Sequence, residues 1–168
     1  TQYPMTEAWG GGVDQCTMHY PMYVIRVADF LGMCATTPHQ VLLSKRLVWE
    51  HGKEVAVFVS HEWCGRAEPD PQFRQLRVLQ SVFAVGASGS LRLERDLSNV
   101  FMRPLEILLQ KRALAGCMTW SMWYDYFSVP QPGAEDDPST YADISTDMGR
   151  AVASLSAYVQ ACRYFLVL

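Results

Sequence analysis

Val55-Ala56-Val57-Phe58-Val59-Ser60-His61-Glu62-Trp63 is the stretch that decides the fold. Five apolar residues run without interruption up to Ser60. A strand with no polar alternation is one covered on both faces, as in a parallel sheet with helices on either side. The run then turns polar at once. Ser60, His61, Glu62 and Trp63 are thereby placed at the carboxyl end of a strand, where open α/β sheets hold their ligands.

Two more segments read as strands of the same kind. Residues 120–127, Trp-Ser-Met-Trp-Tyr-Asp-Tyr-Phe, are rich in β-formers and stop at Pro130 and Pro132. Tyr164-Phe165-Leu166-Val167-Leu168 is a third apolar strand. Between them lie helical patterns. Thr37-Pro38 starts a helix that runs to about Glu50, with Val41, Leu42 and Leu47 inward and Gly52 beyond its end. Asp70-Pro71 caps a second, in which Phe73, Leu76, Leu79, Val82 and Phe83 recur at helical spacing before Gly86 and Gly89. A third covers about 98–114, with Pro104 inside it. Ser145 or Asp147 caps a last helix with Met148, Val152, Leu155, Tyr158 and Val159 on one stripe. Strands separated by helices imply right-handed crossovers and a parallel sheet. Tyr23–Val27 reads as a short strand or an extended packing segment inside an otherwise irregular lead-in, residues 1–36. The α/β domain is expected over 37–168. Because it stops on a strand with its edge and one helical layer uncovered, the chain reads as the amino-terminal part of a longer domain.

Composition excludes several classes. At 168 residues, 49% apolar and 18% charged, the chain suits one globular domain. A formal net charge of -3 offers no basic surplus for a phosphate backbone. No apolar run approaches the roughly 20 residues needed to cross a bilayer, and no signal peptide is visible. The cysteines, Cys16, Cys34, Cys64, Cys117 and Cys162, are odd in number and form no C-x-x-C pair. A reducing compartment, cytoplasmic or another intracellular one, is the natural reading.

Two strand ends carry polar groups. The first supplies Ser60, His61, Glu62 and Trp63. The second supplies Asp125, Tyr126, Ser128 and Gln131. If the strands are neighbours, both sets face one crevice. His61 then has the chemistry of a general base or metal ligand, with Glu62 or Asp125 to orient it. The simpler reading, which the residues favour, has His61 bonding the following loop and Trp63 and Trp123 packing. No third ligand is spaced to close a metal site. Ser60 lacks a G-x-S-x-G elbow, and Cys64 has no partner arrangement. No phosphate-binding glycine motif follows a strand. Asp136 and Asp137 read as solvated loop charges.

Three segments taken in order resemble a known group. They are Val57–Trp63 with Pro69-Asp70-Pro71 and Gln75-Leu76; Trp123–Gln131; and Ala151–Val159 leading into Phe165–Leu168. Together they are similar to the divergent TIR-like domains (Toll/interleukin-1 receptor homology) of unicellular algae, with fungal heterokaryon-incompatibility domains as more distant relatives. The likeness covers about 38–168. It implies a flavodoxin-like three-layer sandwich in which residues 55–60 form the first, central strand, 120–127 the second and 163–168 the third. It implies that 129–145, with Pro130, Gln131, Asp136 and Asp137, is a loop for self-association or for binding other TIR-like domains in a larger assembly, bordering a nucleotide pocket. Ser60, His61, Glu62, Trp63, Asp125 and Tyr126 would line that pocket, with Trp63 stacked on a base or nicotinamide ring of NAD+. Some TIR domains cleave NAD+ with a glutamate on the helix after the third strand. No residue of this chain stands at that position, and the role does not transfer to Glu62.

Overall fold

The structure, a computed structural model, describes residues 17–66, 68–90, 114–132 and 143–168. In chain order the elements are β1 (Tyr23–Arg26), α1 (Val27–Leu31), α2 (His39–Ser44), β2 (Val48–Glu50), β3 (Ala56–Ser60) and α3 (Arg74–Ala87). A 3-10 turn at Cys117–Thr119 leads into β4 (Ser121–Tyr124), α4 (Asp125–Ser128), α5 (Asp147–Ala153), α6 (Leu155–Ala161) and β5 (Tyr164–Val167). The expected helix over 98–114 and the loop residues Asp136 and Asp137 lie outside the described residues.

One five-stranded sheet runs β2-β1-β4-β3-β5. β3 pairs in parallel with β4, Val57 opposite Met122, and with β5, Val57 opposite Tyr164. β1 runs antiparallel to both β4 and β2. The sheet is therefore mixed rather than wholly parallel, and Tyr23–Arg26 of the lead-in is one of its strands. A boundary at residue 37 would cut β1 and α1 from the sheet they pack into. β3 lies between two strands, as its unbroken apolar run demanded. Its side chains alternate by period two. Val57 and Val59 join Phe30, Leu76, Leu79 and Phe83 from α1 and α3 on one face. Ala56 and Phe58 join Trp123, Ala151 and Tyr158 under α5 and α6 on the other. Helices thus cover both faces, giving a mixed α/β architecture in three layers.

Local chemistry fixes the element ends, and here several expectations are corrected. The helix expected over 37–50 is six residues long. Arg46 takes a left-handed φ of 57°, which stops it, and Val48-Trp49-Glu50 pairs with β1 instead. Thr37 does not cap it; its hydroxyl donates to the Ala35 carbonyl. Glu54 holds the following turn, accepting from Trp49 Nε1 at 3.2 Å, Gly52 N at 3.1 Å and Ser121 Oγ at 3.3 Å. Burial opposes that charge, but its own backbone amide, the Gly52 amide, the Trp49 indole and His51 bring the Glu54 pKa down to about 2.

The second strand ends at Tyr124, not Phe127. Ser128 Oγ accepts from Tyr124 N at 3.2 Å, so Asp125–Ser128 curls into one helical turn. The last helix is two, broken at Ser154. The Ser154 hydroxyl sits at the break: it donates to the Arg150 carbonyl at 2.8 Å and accepts from His19 N at 2.8 Å and Tyr20 N at 3.2 Å. Tyr158 adds a bond from its hydroxyl to the Tyr20 carbonyl, 2.9 Å. Of the expected stripe, Tyr158 is buried and Met148 packs against the core, but the other three members are not buried. Gly149, Ala151, Ala157 and Tyr158 face inward, while Val152, Leu155 and Val159 are 43%, 37% and 39% exposed. Small residues lie inward because the chain approaches closely there; a Cβ on Gly149 would stand 1.9 Å from the Asp143 carbonyl oxygen.

Asp70 caps α3 as expected, but from further away. The helix starts at Arg74 after Phe73 in a left-handed turn, φ 55°. The buried Asp70 carboxylate reaches over that turn to accept from Arg74 N at 2.8 Å and Leu76 N at 2.9 Å. This satisfies amides that a helix start otherwise leaves unpaired.

Candidate functional site

The parallel pairing of β3 and β4 brings their carboxyl ends to one rim, and there the two polar sets meet. His61 Nε2 donates to Asp125 Oδ1 at 2.8 Å. Trp63 Nε1 donates to Asp125 Oδ2 at 2.9 Å. Tyr126 N, next along the chain, also donates to Oδ1. Asp125 is thus the centre of the cluster, not its orienting accessory. Burial works against its charge, but the His61 hydrogen bond and charge, the Trp63 indole and the Tyr126 amide outweigh it and lower the Asp125 pKa. Asp125 is ionised at neutral pH, and its side chain keeps 34% exposure.

His61 is held on all sides. Its side chain is 2% exposed. The ring stacks on Tyr124, centroids 4.2 Å apart and planes within 11°. Its Nδ1 lies 3.4 Å from the Tyr124 hydroxyl. Tyr124 is fully buried, and burial, with the Asp125 and Asp70 charges, pushes its phenol pKa far up. This imidazole fixes the carboxylate; it does not reach solvent as a free base would. Trp63, in contrast, is 43% exposed and meets Tyr126 edge-on at 5.9 Å.

The cluster forms one wall of a groove of about 980 Å³. Trp63, Asp125 and Tyr126 stand on that wall together with Arg66. Trp123 and Val129 lie at its base, and Met148, Val152 and Leu155 from α5 and α6 form the apolar side opposite. Gln40 from α2 closes one end, its Nε2 donating to the Gln131 carbonyl at 2.6 Å. This accounts for Val152 and Leu155 in the exposed stripe on α5 and α6, which face the groove rather than the core; Val159 does not line it. Arg66 is exposed and makes no hydrogen bond or ion pair among the described residues.

Of the residues named from sequence, the groove takes Trp63, Asp125, Tyr126 and Gln131. His61 stands behind the wall. Ser60 is drawn into the sheet edge, its carbonyl accepting from Leu168 N at 3.0 Å. Glu62 is exposed, and its carbonyl accepts from Gln75 Nε2 at 3.1 Å. Neither lines the groove. Pro130 is half-buried beside it. Among the described residues no group of three or more His, Cys, Asp or Glu side chains is placed to hold a metal ion. Also among them, no helix is long and apolar enough to cross a membrane. Sequence reasoning missed Arg66 and Gln40, which belong to no motif, and took Val152 and Leu155 as core. A helical stripe looks the same whether it meets a core or a cleft.

Searches among protein-family models, curated proteins and solved structures return no match to this chain.

Proposed function

We propose that the groove between the β3–β4 rim and α5–α6 binds a nucleotide such as NAD+, in a TIR-like signalling module. The observation that carries this is one groove lined by Trp63, Asp125 and Tyr126, by the apolar Met148, Val152 and Leu155, and by Arg66, which is unpaired among the described residues. A flat ring finds aromatic and aliphatic surface there, hydroxyl and amino groups find a carboxylate, and phosphate finds a guanidinium. The sheet order supports the same reading. Taken alone, the parallel strands run second, first, third across the sheet, the order with which a flavodoxin-like sheet begins. Binding is the role these residues support. Hydrolysis of NAD+ would need a further carboxylate at the ribose, and His61 and Asp125, bonded to each other, do not replace it.

The test is titration of the protein with NAD+, followed by calorimetry and by Trp63 fluorescence. Saturable binding that weakens at least tenfold in Arg66→Ala and in Trp63→Ala is expected. Absence of binding at millimolar NAD+, or binding indifferent to both substitutions, refutes the assignment. Free nicotinamide in the same incubation reports whether cleavage occurs.

A second reading is favoured by one separate observation. β5 is an edge strand, and Phe165 and Val167 are 52% and 74% exposed on it. Exposed apolar edges invite another strand, so the alternative is a non-catalytic scaffold that self-associates. Light scattering decides it: a monomer at high concentration, unaltered by Val167→Lys, argues against the scaffold.

A further inference from the structure

The start of α2 is fastened to the segment after β4 by two adjacent residues. The buried His39 donates from Nδ1 to the Phe127 carbonyl at 2.9 Å. The exposed Gln40 donates from Nε2 to the Gln131 carbonyl at 2.6 Å. The same segment carries Val129 and Gln131 into the groove, whose lining also includes Gln40. α2 itself is six residues long, has no side-chain cap at Pro38, and buries only His39 and Leu42. A helix this short has almost no stability of its own, so its seat depends on what those two side chains find beneath it. With the Nδ1 hydrogen given to Phe127, Nε2 is the bare nitrogen of a neutral ring, and it has no partner. A proton there would create a buried donor without an acceptor and a buried charge without a counter-ion. The neighbouring elements supply neither. Tyr23 of β1 meets the imidazole ring to ring at 4.9 Å and 66°. The other ionisable side chains on the packed strands and α4 are Arg26 of β1, paired with Asp29, Glu50 of β2, and Asp125, bonded to His61, with Tyr126. None of these exerts a charge effect on His39, which responds to burial and to the Phe127 carbonyl.

We infer that His39 and Gln40 form a pH-operated latch on one end of the groove. A proton on His39 releases the start of α2, breaks the Gln40–Gln131 bond and opens that end, while the rest of the sheet and α3 stay folded. Local opening of this kind is drawn from the least buried elements of a fold, and α2 is one of them. The sign follows from the two states of the ring. In the closed latch burial holds the His39 pKa below its ordinary value. In the open latch the ring meets water and titrates near 6.5. The latch is therefore shut above about pH 6.5 and loosens below it, the opening equilibrium rising by up to about tenfold for each further pH unit. The latch acts on the groove whatever the groove binds, so it does not rest on the nucleotide reading.

The experiment is amide hydrogen exchange of the full chain, read by mass spectrometry at pH 7.5 and 5.5, with exchange times corrected for the pH dependence of the free amide. Peptides covering 39–44 and 127–131 are expected to lose up to about tenfold in protection at pH 5.5, while those covering 74–87 in α3 keep theirs. In His39→Gln, which keeps an amide donor but cannot take up the proton, the pH response of 39–44 should vanish. Gln40→Ala should lower the protection of 127–131 at both pH values and leave the pH response of 39–44 in place. Three results overturn the latch: protection of 39–44 that is the same at both pH values, protection that falls in step with α3, or a pH response that survives His39→Gln. The comparison of α2 with α3 is made within the unaltered protein and does not depend on any variant folding.

Discussion

The two faces of the sheet are built from alternate residues of the same strands, yet they are finished differently. Toward α1 and α3, Val57, Val59, Met122 and Tyr124 meet Phe30, Leu79 and Phe83, all with exposure of 1% or less. Toward α5 and α6, Phe58 and Trp123 stack at 4.3 Å and 11°, but the helices above them turn Val152 and Leu155 into a groove. The closed face takes large side chains from its helices. The open face takes mostly small ones, Gly149, Ala151 and Ala157, with Tyr158 the large exception, while Val152 and Leu155 remain outside. The two carboxylates follow the same division. Asp70, 3% exposed, gives both oxygens to backbone amides of α3. Asp125 takes two side-chain donors and keeps an edge toward the groove. The closed core and the proposed binding groove therefore lie on opposite sides of one sheet.

Substitutions can break that contrast. Phe83→Ala, on the closed face, is expected to have the largest effect, lowering stability by about 3–5 kcal/mol in chemical denaturation. Asp70→Ala should follow, at about 2 kcal/mol or more, because it leaves two amides at the α3 start unpaired. A cost for either within the range of a surface change would mean that the closed face is not the structural one.

A pH effect sharpens the contrast from the closed side. His39 is 1% exposed; its Nδ1 donates to the Phe127 carbonyl at 2.9 Å, and its Nε2 has no partner. Burial lowers its pKa, so the folded chain keeps the ring neutral. As pH falls below the unfolded value of about 6.5, the unfolded chain takes up the proton first. Stability is then full above about 6.5 and declines below it. Urea midpoints at pH 7.5 and 5.5 should differ more in the unaltered protein than in His39→Asn; equal differences would show that His39 does not contribute. Smallest of all should be Val152→Ser in the groove, within about 0.5 kcal/mol in stability but measurable in the NAD+ titration. A large stability loss there would make α5 a core helix after all.

The central strand was legible because a strand covered on both faces leaves an unbroken apolar run, and Val55–Val59 is one. The meeting of His61 with Asp125 followed from the same logic, since two parallel neighbours must end at one rim. β2 was not legible. Val48-Trp49-Glu50 is too short to show a period, and what ends α2 is the backbone at Arg46, a position whose residue type gives no warning. The direction of β1 was hidden too, because alternation says which face a residue takes and nothing about which way its neighbour runs. The tie at the Ser154 break runs to backbone amides at His19 and Tyr20, more than 130 positions away in the chain. A strand-end imidazole raised a general base or metal ligand as one reading of His61, beside the simpler hydrogen-bonding role that the residues favoured. Only packing reveals that its ring is covered and that Asp125 holds the exposed edge.

That long-range bond at Ser154 has a practical consequence. Residues 19–22 look dispensable by composition, yet they work as a buckle across the seam between α5 and α6. Trimming the protein back to Thr37 would open the buckle and take away a sheet strand in the same cut. A gene designer hunting for a minimal version should therefore start before His19, and a protease nicking just after Met22 should loosen the far end of the chain first.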